Sequence, residues 1–212
     1  LFPYTTLFRS EEIPMDIKVE RFDKVFFESK PEELQKIKKQ YPFFFPVGVP
    51  DSVWRTKIQN PIWRELYGEV QKKYSDIEPV RSELITLFKH IKHYFPKTKT
   101  PKAITVIAEM DYNNKAIYAD SLVIISLELY LGKAHKFYEF PKYIKQNFEQ
   151  RQMMPDVVSS FAMSKINFGK DKTLLNQMIY YGKQLYLKDL LLPEYTDAEK
   201  MGYTPKEIAW CQ

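Results

Sequence analysis

Apolar residues in this chain fall mostly at helical spacing, with one clear exception in the middle. Ala103 to Ala108 is a compact apolar run containing Ile104, Val106 and Ile107. Asp111-Tyr112-Asn113-Asn114 follows, and Asn and Asp favour turns because they tolerate left-handed backbone and bond their own main chain. Ala116 to Ala119 and Leu122 to Leu127 are then rich in Ile, Val and Tyr, which suits strands. The pattern predicts an antiparallel sheet turning around Asp111 to Lys115. A further strand is expected over Ile17–Phe22, where apolar and polar residues alternate.

The rest reads as helices. Pro31-Glu32-Glu33 opens one, with Leu34, Ile37 and Tyr41 as its stripe. Asp51 or Ser52 is the expected cap of a short helix carrying Val53, Trp54 and Ile58. Asn60-Pro61 starts another with Ile62, Trp63, Leu66, Tyr67 and Val70 at helical spacing. Further helices are predicted over 76–95, 141–148, 155–166 and 173–192, with Pro96 and Pro193 as stops. Gly182 lies inside the last and longest of these. A glycine there costs about 1 kcal/mol against Ala, so close packing at Gly182 is the expected compensation. Thr204 to Glu207 is a capping box with Pro at the first helical position. The predicted fold class is α+β, mostly helical with a small antiparallel sheet, in a single domain.

Between the second and third elements, Tyr41 to Pro50 is aromatic and bounded by prolines. Phe43, Phe44 and Phe45 in a row read either as a loop pinned to the core or as an exposed binding patch. They are the candidate interaction residues of this chain.

Composition changes this picture little. A chain of 212 residues with 44% apolar and 16% aromatic residues can bury a sufficient core without a disulfide or metal. The net charge is +5, but the lysines are scattered, which describes a solvated surface; contact with an anionic membrane face is the second reading. No nucleic-acid module is present. The single cysteine, Cys211, excludes an internal disulfide. No apolar run approaches the ~20 residues of a membrane helix.

Candidate chemistry is sparse. His90 and His93 stand three apart on a predicted helix, yet the only other histidine is His135, in a loop, and a zinc site needs more ligands than the pair. They read as partly exposed surface residues. Glu109, Asp111, Asp120 and Glu128 flank the sheet and could do acid–base work if brought together; acids beside hairpins more often cap turns or face solvent. There is no G-x-S-x-G elbow and no glycine-rich phosphate loop among six glycines. No catalytic, cofactor-binding or metal-ligating residue is therefore assigned, and no cofactor is implied.

Residues 1–10, LFPYTTLFRS, match the in-frame translation of a common sequencing adapter, CTCTTTCCCTACACGACGCTCTTCCGATCT. The native chain is therefore expected to start at Glu11, with anything upstream of it lost.

Several stretches together resemble one family. They are Phe22-Asp23-Lys24, Tyr41-Pro42-Phe43-Phe44-Phe45-Pro46, Met110 to Phe140, Pro155-Asp156-Val157-Val158 and Gly202-Tyr203-Thr204. In this order they resemble the GldB gliding-motility lipoproteins of Bacteroidetes, over nearly everything from Ile17 onward. The resemblance implies a membrane-anchored protein of the cell envelope facing the periplasm, required for gliding motility and linked to type IX secretion. It implies an N-terminal lipid on a cysteine that this chain lacks, protein partners in the motility machinery, and truncation at both ends. It also implies a distant likeness to H-E-x-x-H zinc proteases, so the fold would be a degenerate zincin-like scaffold. At the corresponding positions stand Pro155, Asp156, Ser159 and Tyr181, which could not build such a zinc site. The function expected is non-enzymatic; the alternative is a zinc-dependent or other hydrolase.

Overall fold

A computed structural model describes residues 10–169, 171 and 173–211. Its centre is a four-stranded sheet. β1 (Val19–Arg21), β2 (Lys102–Val106), β3 (Ala116–Ala119) and β4 (Leu122–Ser126) lie in the order β1-β2-β4-β3. β1 and β4 both run parallel to β2, and only β3 and β4 are antiparallel. The expected antiparallel sheet is thus corrected to a mixed one. The reason lies in which turn is tight. Asp120 adopts φ 52, and with Ser121 it closes a two-residue hairpin between β3 and β4. The segment after β2 does not turn back on it. It crosses to the far edge, and β4 returns between β3 and β2. The Asp111 turn forms as predicted, with Asp111 accepting from Asn113 N and Asn114 Nδ2, but it shapes this crossing rather than a hairpin.

The alternation over Ile17–Phe22 is realised only in part. The strand stops at Arg21 and a helix, α1 (Phe22–Phe27), starts at once. The switch lets Phe22, Phe26 and Phe27 be buried from one short helix, while Asp23 turns inward to Arg21 and Thr105.

Helices α2 (Leu34–Gln40), α3 (Asp51–Gln59), α4 (Pro61–Lys73) and α5 (Glu78–Tyr94) precede the sheet's second strand. Asn60 caps α4, its side chain accepting from Ile62 N and Trp63 N. Asp51 is the first residue of α3 rather than its cap, and pairs with Lys38 at 2.7 Å. After the sheet come α6 (Lys142–Lys145), α7 (Met153–Lys165), α8 (Leu174–Leu191), α9 (Asp197–Met201) and α10 (Pro205–Cys211). Thr173 caps α8, and Gly202, at φ 71, ends α9 in the left-handed region. A Cβ on Gly202 would lie 2.8 Å from Asn147 Nδ2, so two constraints call for glycine.

One face of the sheet packs under α5 and α7. Tyr118 sits 6.1 Å from Phe88 and 5.1 Å from Phe161, centroid to centroid. α7 also closes the β3 edge, because Tyr118 N donates to Ser160 Oγ at 2.8 Å. The other face meets α1 and the aromatic segment after α2. Behind the sheet, Leu129, Tyr138 and Phe148 form a smaller core of their own. α8 is anchored at its C-terminal end, where Leu187 and Leu191 are buried. The expected close packing at Gly182 is absent among the described residues: Gly182 is exposed, and a Cβ there would meet none of their atoms within 4 Å.

Of the ten residues matched to the adapter, 1–9 lie outside the described residues. Ser10 is buried, and its carbonyl accepts from Ile13 N.

Candidate functional site: an aromatic groove over the sheet

The three consecutive phenylalanines point in three directions. Pro42 starts a 3₁₀ turn over Pro42–Phe44, and at three residues per turn successive side chains diverge by roughly 120°. Phe45 therefore goes inward and is buried at 6% exposure, Phe44 is half-buried, and Phe43 is 53% exposed. The segment is thus pinned to the core through Phe45 and exposed at Phe43. Phe45 packs against Trp54 at 5.0 Å, and Phe44 against Phe22 at 4.5 Å. Phe22 and Phe26 stand one turn apart on α1 and stack at 5.7 Å.

These rings form one wall of a groove of about 700 Å³. Its floor is the sheet, with Val106, Ile117, Leu122 and Ile124; Ile117 on the edge strand is 38% exposed. Lys57, Glu109, Asp111, Asn114 and Ser126 give it a polar end. A second cavity of about 630 Å³ adjoins it across Glu109, lined by Trp63, Met110, Phe137 and Phe140 among others. The strip between the two cavities is held from below. Met110 has φ 54, an uncommon conformation for a side-chain-bearing residue, and Ala108 N donates to Glu128 Oε1 at 2.9 Å.

Glu128 is the residue that sequence reasoning placed wrongly. It was expected to cap a turn or face solvent, as Asp111 does; it is fully buried. Burial pushes its carboxyl up to about 7, against the pull of backbone N–H groups and of Lys57. Among the described residues its Oε2 has no hydrogen-bond partner. The signal was available: an acid between Leu127 and Leu129, in a mostly apolar run from Leu122 to Leu131, is placed for burial. Lys57 sits 4.1 Å over the Trp63 ring and 3.7 Å from Glu109, and burial lowers its ammonium. The four sheet-flanking acids do not converge. Asp120 pairs with Lys99 at 2.8 Å, Glu109 is mostly exposed, and Glu128 lies behind Ala108 rather than in the groove.

Of the histidines, His90 is corrected. His90 is buried, and its Nδ1 donates to Leu191 O at 2.9 Å, tying α5 to the end of α8. His93 is half-buried beside Tyr94, and His135 stacks on Phe137, with Nε2 at 3.5 Å from Glu69. Among the described residues no group of three His, Cys, Asp or Glu could hold a metal ion. Pro155 is buried in the first turn of α7; Asp156 takes a hydrogen bond from Tyr130 at 2.8 Å and pairs with Lys115 at 2.7 Å. Ser159 donates to Pro155 O, and Tyr181 faces outward on α8. Cys211 is exposed. Among the described residues no helix is long and apolar enough to cross a membrane.

The family described as "Gliding motility protein GldB" matches residues 8–212. The chain belongs to the gliding motility protein GldB family. No curated protein and no solved structure is similar enough to count as a match. The stretches Phe22-Asp23-Lys24 and Tyr41 to Pro46 supply the aromatic wall and the buried Asp23. In this member the groove offers apolar contact along most of its length and hydrogen-bonding groups at one end.

Proposed function

We propose that this protein is a non-enzymatic component of the gliding machinery, anchored by lipid in the cell envelope and facing the periplasm, that acts by holding a protein partner in the aromatic groove. Its partners belong to the motility apparatus and the associated type IX secretion machinery. The observation that carries this reading is Phe43. A phenylalanine 53% exposed, lining the same groove as the exposed Ile117 over an already aromatic wall, is poorly accounted for by folding alone. Aromatic anchors in such grooves dominate interface energetics. Family membership supplies the setting.

The test is a Phe43→Ser, Ile117→Ser double variant expressed in place of the native protein. Gliding should be lost while abundance, membrane fractionation and the unfolding midpoint stay as they were. Normal gliding would remove the groove from the function. The competing reading, a zinc-dependent or other hydrolase, would be favoured by purified protein that retains stoichiometric zinc and cleaves peptides.

A further inference from the structure

The second unpartnered surface lies on α8, away from the groove. Leu174, Leu175, Met178, Ile179, Tyr181 and Tyr186 are each between 45% and 73% exposed. At 3.6 residues per turn they occupy one arc of roughly 160°, with Gly182 near its centre. Ordinary surface helices put their apolar arc inward. Here the inward arc, with Leu187 and Leu191, is buried only at the C-terminal end, so the N-terminal half stands with its apolar side to solvent. The first charge met along that side is Asp189, which is paired with Lys200 at 3.0 Å.

We propose that this face is where two copies of the chain meet, with their α8 helices antiparallel and crossing at Gly182. Three features select a second copy. First, a mid-helix glycine weakens the helix, and among the described residues nothing compensates, since none of their atoms lies within 4 Å of where its Cβ would be. A second helix crossing there would use the missing side chain for close approach. A bilayer would not, because a lipid-facing helix gains by inserting side chains. Second, the face is self-complementary, as a two-fold interface requires. With the dyad at Gly182, Tyr186 meets the partner's Met178 and Leu185 meets the partner's Ile179, while Asp189, held by Lys200, comes opposite the partner's Leu175. These are sulfur–aromatic and aliphatic contacts, and no charge faces its own copy. Third, the area suffices: six side chains at these exposures present on the order of 700 Å², against roughly 800 Å² per partner in a stable interface.

The experiment uses the whole chain in sedimentation velocity over a range of concentrations, together with three variants. Wild type should show a reversible monomer–dimer equilibrium. Met178→Lys and Gly182→Leu should each weaken it at least tenfold without lowering the monomer's unfolding midpoint. In a Cys211→Ser background, Gly182→Cys should cross-link on oxidation while Gln177→Cys, on the flank, should not. A chain that stays monomeric at the highest attainable concentration would overturn the proposal. So would dimers that ignore Met178→Lys, or a cross-link at Gln177→Cys and none at Gly182→Cys. Monomers that bind vesicles of phosphatidylglycerol and phosphatidylcholine, and lose that binding in Met178→Lys, would assign the face to lipid instead and likewise overturn it.

Discussion

Arg21 grips the carboxylate of Asp23 with two nitrogens, Nε at 2.9 Å and Nη2 at 2.6 Å. The pair sits where β1 becomes α1, and Asp23 is 1% exposed. Every strong acceptor and donor around it is used. Thr105 Oγ1 and Gln71 Nε2 donate to Asp23, and Arg21 Nη1 donates to Tyr74 O at 2.7 Å. The cluster therefore fastens β1, β2 and α4 at one point.

Removing one member leaves the others buried and unpaired, which costs more than the pair contributes. Asp23→Ala should destabilise the fold by about 3–5 kcal/mol, read as a shift in denaturant midpoint. Arg21→Lys keeps the charge but not the fork, and should also lose stability measurably, though less.

Glu128 makes stability depend on pH. Its folded carboxyl is raised from 4.5 to about 7, so the folded state holds this proton more tightly than the unfolded chain does. The contribution is complete below about pH 4.5 and is lost as pH rises through about 7. Glu128→Gln stays neutral throughout. Relative to wild type, the variant should gain of order 2–3 kcal/mol between pH 5 and pH 8, on the scale of 1.36 kcal/mol per unit of pKa. Parallel curves for the two proteins across that range would contradict the burial described here.

The phenylalanine triplet should separate stability from binding. Phe45→Ala removes a buried ring and should cost about 3–5 kcal/mol. Phe43→Ala should stay within about 0.5 kcal/mol, as surface changes do. Thermal melts of the two single variants check this, and a Phe43→Ala as destabilised as Phe45→Ala would place both rings in the core.

β4 is paired on both sides, and α7 covers the β3 edge. Amide exchange over Val123–Ser126 should rank among the slowest in the chain. Ser160→Ala should leave Tyr118 N without its acceptor, costing about 1–3 kcal/mol and speeding exchange at that amide first.

The helices and the strand-forming residues were readable because local signals govern them. Asn60 and Thr204 cap as their positions suggested. The sheet's pairing was not readable, since nothing local says that β4 returns between β3 and β2. The tight Asp120 turn competes with the more conspicuous Asp111 turn, and Asn-rich composition favoured the wrong one. Burial of His90 and Glu128 was missed for a related reason. Each is polar, and each satisfies backbone groups distant in sequence, Leu191 O and Ala108 N. For the groove, the aromatic residues were legible and their directions were not, because the 3₁₀ turn that fans them apart becomes evident only in three dimensions.

The pairing of Val19 with Ala103 also sets a timetable. During synthesis the first strand emerges about 80 residues before the strand it must join, and the β3–β4 hairpin can close on its own afterwards. Through that interval β1 is an orphan, and its short, charged make-up, with Lys18, Glu20 and Arg21, gives other chains little to adhere to. β1 must wait for β2 to emerge, so a lesion at Arg21 or Asp23 should show as delayed maturation as well as a less stable product.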